Sequence, residues 1–162
     1  MIMSESTTEN VAPLKILVAE DSAADRFWLE MVFNSARIHY TLTAVTDGEA
    51  ARDYLKQHVV EGPDVPDLVF LDQNMPHLSA MEILRELPQM RTLPYCIITG
   101  SAIEKDQWVK ELGLSPHCFI LKPLTQAKLV EFLQAYSSLR PLAGSIEQNS
   151  SSLSPEEAPL VP

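Results

Sequence analysis

The chain has 162 residues, 46% hydrophobic and 21% charged, enough to bury the core of one globular domain. Its formal net charge of -10 argues against a nucleic-acid partner, because affinity for phosphate backbones comes from Lys and Arg, and suits a cation or a basic protein surface instead. No stretch reaches the ~20 continuous apolar residues of a membrane helix, and the polar start, with Glu5 and Glu9, is unlike a secretory leader.

Residues 1–12 are polar and read as a disordered tail. Leu14 to Ala19 is a short apolar run that predicts a first strand. Ala23 to Ala36 predicts a helix with Trp28, Met31 and Val32 on one face. Tyr40 to Val45 alternates as a strand does, and Glu49 to Gln57 predicts a helix opening after Asp47-Gly48. A rather long loop from His58 to Pro66 carries Pro63 and Pro66. Asp67 to Leu71 is a nearly continuous apolar strand, and Ala80 to Leu87 a helix ended by Pro88. Tyr95 to Thr99 is a fourth strand, and Glu104 to Leu112 a helix that stops at Gly113. His117 to Leu121 predicts a fifth strand. Thr125 to Leu139 predicts the last helix, with Leu129, Phe132, Leu133 and Tyr136 at i, i+3, i+4 and i+7. Helical spacing leaves open whether Phe132 and Tyr136 belong to the core or to a dimer face. Residues 140–162, rich in Ser, Pro, Gln and Glu, bury too little to offset their ordering entropy and read as a disordered tail. The domain is therefore expected over residues 13–139.

Five strands alternating with five helices predict an α/β fold: a doubly wound, five-stranded parallel sheet in the flavodoxin-like order 2-1-3-4-5, with helices on both faces. Ligands of such sheets bind beyond the carboxyl ends of the strands. Those ends carry Glu20 and Asp21, then Thr46 and Asp47, then Asp72, Gln73 and Asn74, then Thr99, Gly100 and Ser101, and lastly Lys122 and Pro123. Three carboxylates (Glu20, Asp21, Asp72), one hydroxyl and one amine thus share a rim. Close carboxylates repel, by about 4 kcal/mol per pair at ~4 Å and an effective dielectric of about 20. One lysine cannot balance three acids, so a divalent cation is expected, and an all-oxygen ligand set favours Mg2+. A carboxylate beside Mg2+ suggests phosphoryl transfer onto Asp72. Lys122 would pair with one phosphoryl oxygen, Thr99 would hydrogen-bond another, and Gly100 would leave space.

Taken singly, each residue has an ordinary reading. Glu20-Asp21 could be a helix-cap region, Asp72 could cap a turn, Thr99 is commonplace at a strand end, and Lys122-Pro123 could just shape a turn. It is their joint placement on one rim that points to a site. The other titratable groups form no rival: His39, His58, His77 and His117 are scattered and read as solvated. Met31, Met75, Met81, Trp28 and Trp108 read as packing residues. Cys96 and Cys118 lie in apolar runs without metal-ligand spacing and read as buried thiols of a reducing cytoplasm, with a disulfide left open.

The stretches LKILVAEDS, PDLVFLDQNMP, CIITGS and CFILKPL, in this order, resemble the receiver domains of two-component response regulators, over Leu14 to Leu139. The resemblance implies that Asp72 is the phosphoacceptor and that Asp21 binds Mg2+ directly, with Glu20 acting through water and Asn74 lending its backbone carbonyl. It makes Thr99 the switch hydroxyl, Lys122 the phosphate partner and Phe119 the aromatic that turns inward on activation. The proline-bearing loop and Asn74 are similar to single-domain regulators that partner phytochrome-type histidine kinases. There are departures: Ala80 stands where the family usually has glycine, Glu20 is Glu rather than Asp, and Asn74 and Ser101 occupy positions that tune phosphoryl lifetime.

The resemblance thus implies a stand-alone cytoplasmic regulator, phosphorylated on Asp72 by a sensor histidine kinase. No effector domain is expected in the tail, so output would pass to a downstream protein or phosphotransfer partner, and a homodimer through the strand-four to helix-five side is expected if the phytochrome likeness holds. Two rival readings are an adaptor that keeps the fold but ignores phosphate, and an aspartate-based phosphatase. The second usually places another Asp where Asn74 stands.

Overall fold

In the computed structural model, strand β3 (Leu68–Asp72) is buried along its whole length and forms the centre of the molecule. The structure describes residues 12–60, 62, 64–115 and 119–135. Strand β3 pairs with β1 (Leu14–Ala19) on one side and with β4 (Tyr95–Thr99) on the other. Strands β2 (Tyr40–Val45) and β5 (Phe119–Leu121) are the edges, so the sheet is parallel throughout in the order β2-β1-β3-β4-β5. This is the expected order. The register aligns Ala19 with Leu71, Asp72 with Ile98, and Thr99 with Leu121. The residues that follow β1, β3, β4 and β5 are therefore brought to one edge.

Side chains alternate across the strands, as the two-residue period requires. Ile16, Val18, Leu68, Phe70, Cys96, Ile98 and Ile120 pack beneath helices α1 (Ala23–Ser35) and α5 (Gln126–Ala135). Leu17, Ala19, Val69, Leu71, Tyr95, Ile97 and Phe119 share the other layer with α2 (Gly48–Leu55), α3 (Ala80–Glu86) and the partly buried Trp108, Val109 and Leu112 of α4 (Ala102–Leu112). No residue within α4 is fully buried, so this helix is held more shallowly than α1, α3 or α5.

Helix α1 departs from the expected face. Leu29, Val32, Phe33 and Ala36 make the i, i+3, i+4, i+7 stripe that meets the sheet. Trp28 and Met31 stand on the flank, 45% and 47% exposed, and Phe27 is 66% exposed. Neither Trp28 nor Met31 is a core residue, whereas Met75 and Met81 are. Phe132 is core, with its ring 5.7 Å from that of Phe70.

Element ends shift for local reasons. Helix α4 starts at Ala102, earlier than Glu104, because the Ser101 side chain caps it through the Glu104 N–H. Helix α2 ends at Leu55 and runs on as one π-helical turn, Lys56–Val60. Helix α3 begins after a full capping box of Ser79 and Glu82, which places Ala80, in the family's glycine position, buried at its first turn. His117, Cys118, Tyr136 to Leu139 and all of the expected tails except Ala12 lie outside the described residues. Among the described residues, no helix is long and apolar enough to cross a membrane.

Candidate functional site

Glu20 and Asp21 follow β1 directly, and Ser22, not either acid, caps α1: its hydroxyl accepts the Asp25 N–H at 3.2 Å. Glu20 is buried and pinned by its surroundings, with Oε1 accepting the Ser22 N–H at 3.0 Å and its backbone carbonyl accepting from the Arg26 guanidinium at 2.6 Å. Asp72, the last residue of β3, is also buried, and its carboxylate accepts the backbone N–H of Asn74. Carboxylate oxygens of Glu20, Asp21 and Asp72 lie within 4.8 Å of one another, with Asp21 exposed at the mouth. Asn74 is exposed two residues beyond Asp72.

Lys122 enters from the end of β5, its backbone N–H donating to the Thr99 carbonyl at 2.8 Å and its bond to Pro123 cis. Its ammonium lies 3.1 Å from Glu20 Oε2, 3.4 Å from Asp72 Oδ1 and 2.7 Å from Asp25 Oδ2. Burial opposes that charge, but the hydrogen bond to Asp25 and the charges of Asp72 and Glu20 outweigh it and hold Lys122 above its usual range. Burial pushes the Glu20 carboxyl up to about 7; the Asp72 charge adds to this, while the Ser22 N–H and Lys122 oppose it. Asp72 is also pushed up by burial, against the pull of Lys122. These acids are thus poorly compensated by protein groups alone. An all-oxygen, acidic donor set of this kind fits a hard divalent cation such as Mg2+ or Mn2+.

Thr99 is fully buried, and its hydroxyl donates to Glu104 Oε2 at 3.1 Å while accepting the Ser101 N–H at 3.1 Å. Gly100 is exposed, and a Cβ added there would meet nothing within 4 Å, so the expected clearance does not depend on glycine. Phe119 is buried and stacks on Trp108, with ring centroids 6.2 Å apart and planes at 22°. Its ring is therefore inward while Thr99 is bonded to Glu104.

Residues 16–134 match the response regulator receiver domain family. The chain belongs to that family. It is 30% identical over 134 residues to the response regulator Rcp1 of Synechocystis sp., a match that covers 80% of this chain and 90% of Rcp1. The structure of Rcp1 in its Mn2+-bound form superposes with a TM-score of 0.56 at 27% identity, over 91% of this chain and all of that one (100%). The phosphorylated cyanobacterial phytochrome response regulator RcpA gives a TM-score of 0.58 at 25% identity, over 90% of this chain and 100% of that one. The bacteriophytochrome response regulator AtBRR shares the fold, with a TM-score of 0.66 at 24% identity over 76% of this chain and 92% of that one.

In this receiver, the residues expected from the sequence converge: Glu20, Asp21, Asp72 and Lys122 form one cluster, and Thr99 and Phe119 sit along β4 and β5 beside it. Asp25 is the member that sequence reasoning missed. The available signal was its place three residues after the Ser22 cap, where an acid is ordinarily read as part of a capping box. Trp28, expected to be packing, instead donates its indole N–H to the Leu124 carbonyl at 2.7 Å and lines a cavity of about 350 Å³ beside Lys122. Gln73 is buried next to Asp72, and its Oε1 has no hydrogen-bond partner among the described residues. Of the histidines, His39 and His77 are exposed as expected, whereas His58 packs on the Tyr54 ring at 4.2 Å.

Proposed function

We propose that this receiver accepts a phosphoryl group on Asp72 from a histidine kinase in a Mg2+-dependent step. The reading rests chiefly on one observation: the acidic trio gathered within 4.8 Å, with the Lys122 ammonium 3.4 Å from Asp72 Oδ1. An Asp72 carboxylate oxygen would attack phosphorus as the phosphorus–nitrogen bond to the donor imidazole breaks. Glu20, Asp21 and Asp72 would hold the ion, with the Asn74 backbone carbonyl as a further ligand, and the ion supplies charge to offset the phosphoryl oxygens. Lys122 would pair with one of those oxygens. The Thr99 hydroxyl would exchange Glu104 for another.

That exchange would alter the start of α4, the helix with no fully buried residue, and bias the α4–β5–α5 face around Phe119. Output by altered binding to a downstream protein or phosphotransfer partner, or by a homodimer through that face, follows from this placement. The exposed Phe27, Trp28 and Met31 beside the site suit docking of a protein phosphodonor. Likeness to the cyanobacterial phytochrome response regulator RcpA supports a phytochrome-type kinase in that role.

The test is labelling with a small phosphodonor and with the kinase, in Mg2+ and in chelator. Wild type should gain a hydroxylamine-labile label in Mg2+ only, and Asp72→Asn none. Persistent labelling of Asp72→Asn sinks the assignment. An unlabelled wild type favours the adaptor reading, and multiple turnover of a phosphomonoester favours the phosphatase.

A further inference from the structure

Asp25 is the carboxylate nearest to Lys122, at 2.7 Å, ahead of Glu20 at 3.1 Å and Asp72 at 3.4 Å. The phosphotransfer chemistry proposed above gives it no role. Its position explains why it turns to Lys122. An acid three residues after a serine cap usually turns back to accept the N–H of the cap residue. Glu82 does this for Ser79 at α3, at 2.8 Å. At α1 the Ser22 N–H is already taken by Glu20 Oε1 at 3.0 Å. The Asp25 carboxylate is thereby released, and its backbone N–H, held by the Ser22 hydroxyl, anchors it within reach of the amine.

The carboxylates of the site then divide by function. Glu20, Asp21 and Asp72 form the cluster suited to a cation, and Asp25 stands outside that trio and serves Lys122. They also differ in what it costs to let the amine go. The side chains of Glu20 and Asp72 are 2% and 5% exposed, so separation from Lys122 would strand a buried charge. The Asp25 side chain is 45% exposed and can exchange Lys122 for water cheaply. Asp25 is the exchangeable partner.

We propose that Asp25 is the resting counter-ion of Lys122, a positioning residue that an incoming phosphoryl group must displace, so that it holds down the yield of the phosphorylated state. This inference rests on the assignment of Asp72 as phosphoacceptor. The effect has two sources of the same sign. Lys122 must leave Asp25 to reach a phosphoryl oxygen, and the Asp25 charge then faces a new anion nearby without its cation.

The test is calorimetric titration of the full chain with beryllofluoride at saturating Mg2+, on wild type, Asp25→Asn and Asp25→Glu, with Asp53→Asn on α2 as a control for net charge. Asp25→Asn should bind beryllofluoride roughly threefold to fivefold more tightly, the size set by a half-exposed ion pair. Asp25→Glu should stay near wild type and Asp53→Asn should not change. The 15N shift of the Lys122 amine in the free protein should move in Asp25→Asn, reporting the lost partner directly. Unchanged or weaker beryllofluoride binding by Asp25→Asn overturns the proposal, including the case in which only thermal stability falls, since that is a purely structural ion pair. If wild type neither binds beryllofluoride nor is labelled on Asp72, the phosphoacceptor assignment fails and takes this inference with it. If wild type does both and Asp25→Asn matches it, only the inference fails.

Discussion

The hydroxyl of Thr99 donates to Glu104 Oε2 at 3.1 Å, and through it the start of α4 is wired to the end of β4. Ser101 and Glu104 have the spacing of a capping box, yet the box is not closed directly. The Ser101 N–H donates to Thr99 Oγ1 at 3.1 Å, and Thr99 in turn donates to Glu104, so the threonine hydroxyl is inserted as a relay. At α3 the same motif closes without a relay, Ser79 N–H to Glu82 at 2.8 Å. In the resting protein Thr99 is therefore a structural part of the α4 cap.

Thr99→Val should consequently destabilise the unphosphorylated protein, by about 1 kcal/mol for the lost relay. Amide exchange at Ser101 and in the first turn of α4 should quicken, while α1 and α5 are unaffected. Thr99→Ser should keep both hydrogen bonds and behave as wild type. Unchanged exchange at Ser101 in Thr99→Val would show that the relay holds nothing.

The acidic cluster sets a pH dependence. Glu20, ordinarily near 4.5, is raised to about 7 in the fold by burial. Between those values the folded protein binds a proton that the unfolded chain has released, so stability of the metal-free protein should fall as pH rises through this window. Mg2+ competes with that proton, so its affinity should climb over the same range and level off above it. Urea denaturation at several pH values, in chelator and in saturating Mg2+, checks both. The slope should be present in chelator, reduced in Mg2+, and weaker in Glu20→Gln, where the buried Asp72 carboxyl still contributes. A metal-free stability that rises through the window contradicts the burial argument.

Gly48 ties α2 to the loop that follows Asp72. Its N–H donates to the Pro76 carbonyl at 3.1 Å, and a Cβ added to it would lie 1.9 Å from the Leu78 carbonyl oxygen. That loop cannot easily yield, because Leu78 N–H closes a tight turn onto Pro76 at 2.9 Å, with His77 between them at φ 72°. Gly48→Ala should cost about 2 kcal/mol or more, a clash against backbone in a packed layer. A shift of the urea midpoint at constant slope is the expected reading, and an unshifted midpoint would mean the loop has room to move.

The strands, their order and the site were legible in the sequence for a shared reason. Continuous apolar runs such as Leu68 to Leu71 and Tyr95 to Ile98 are what a sheet covered on both faces demands, and the residue after each run must fall on its carboxyl edge. Placing Asp72, Glu20, Asp21 and Lys122 together needs only that rule and the parallel order. The face of α1 was less legible. Trp28, Met31 and Leu29 are all large and apolar, and only contact with Phe70 and Phe132 across the core selects the stripe of Leu29, Val32 and Phe33 over its flank.

Lys122 and Asp25 are 97 positions apart, and no local pattern couples them. Which charges gather at one edge follows from the order of residues along the chain, because strand ends are a local property. Which charge holds which was decided by the tertiary structure. Glu20 reaches the Ser22 N–H first, Asp25 is left to Lys122, and Thr99 is drawn into the α4 cap. These are choices among competing donors and acceptors, and they are settled by differences in distance of a few tenths of an ångström that exist only once the chain has packed.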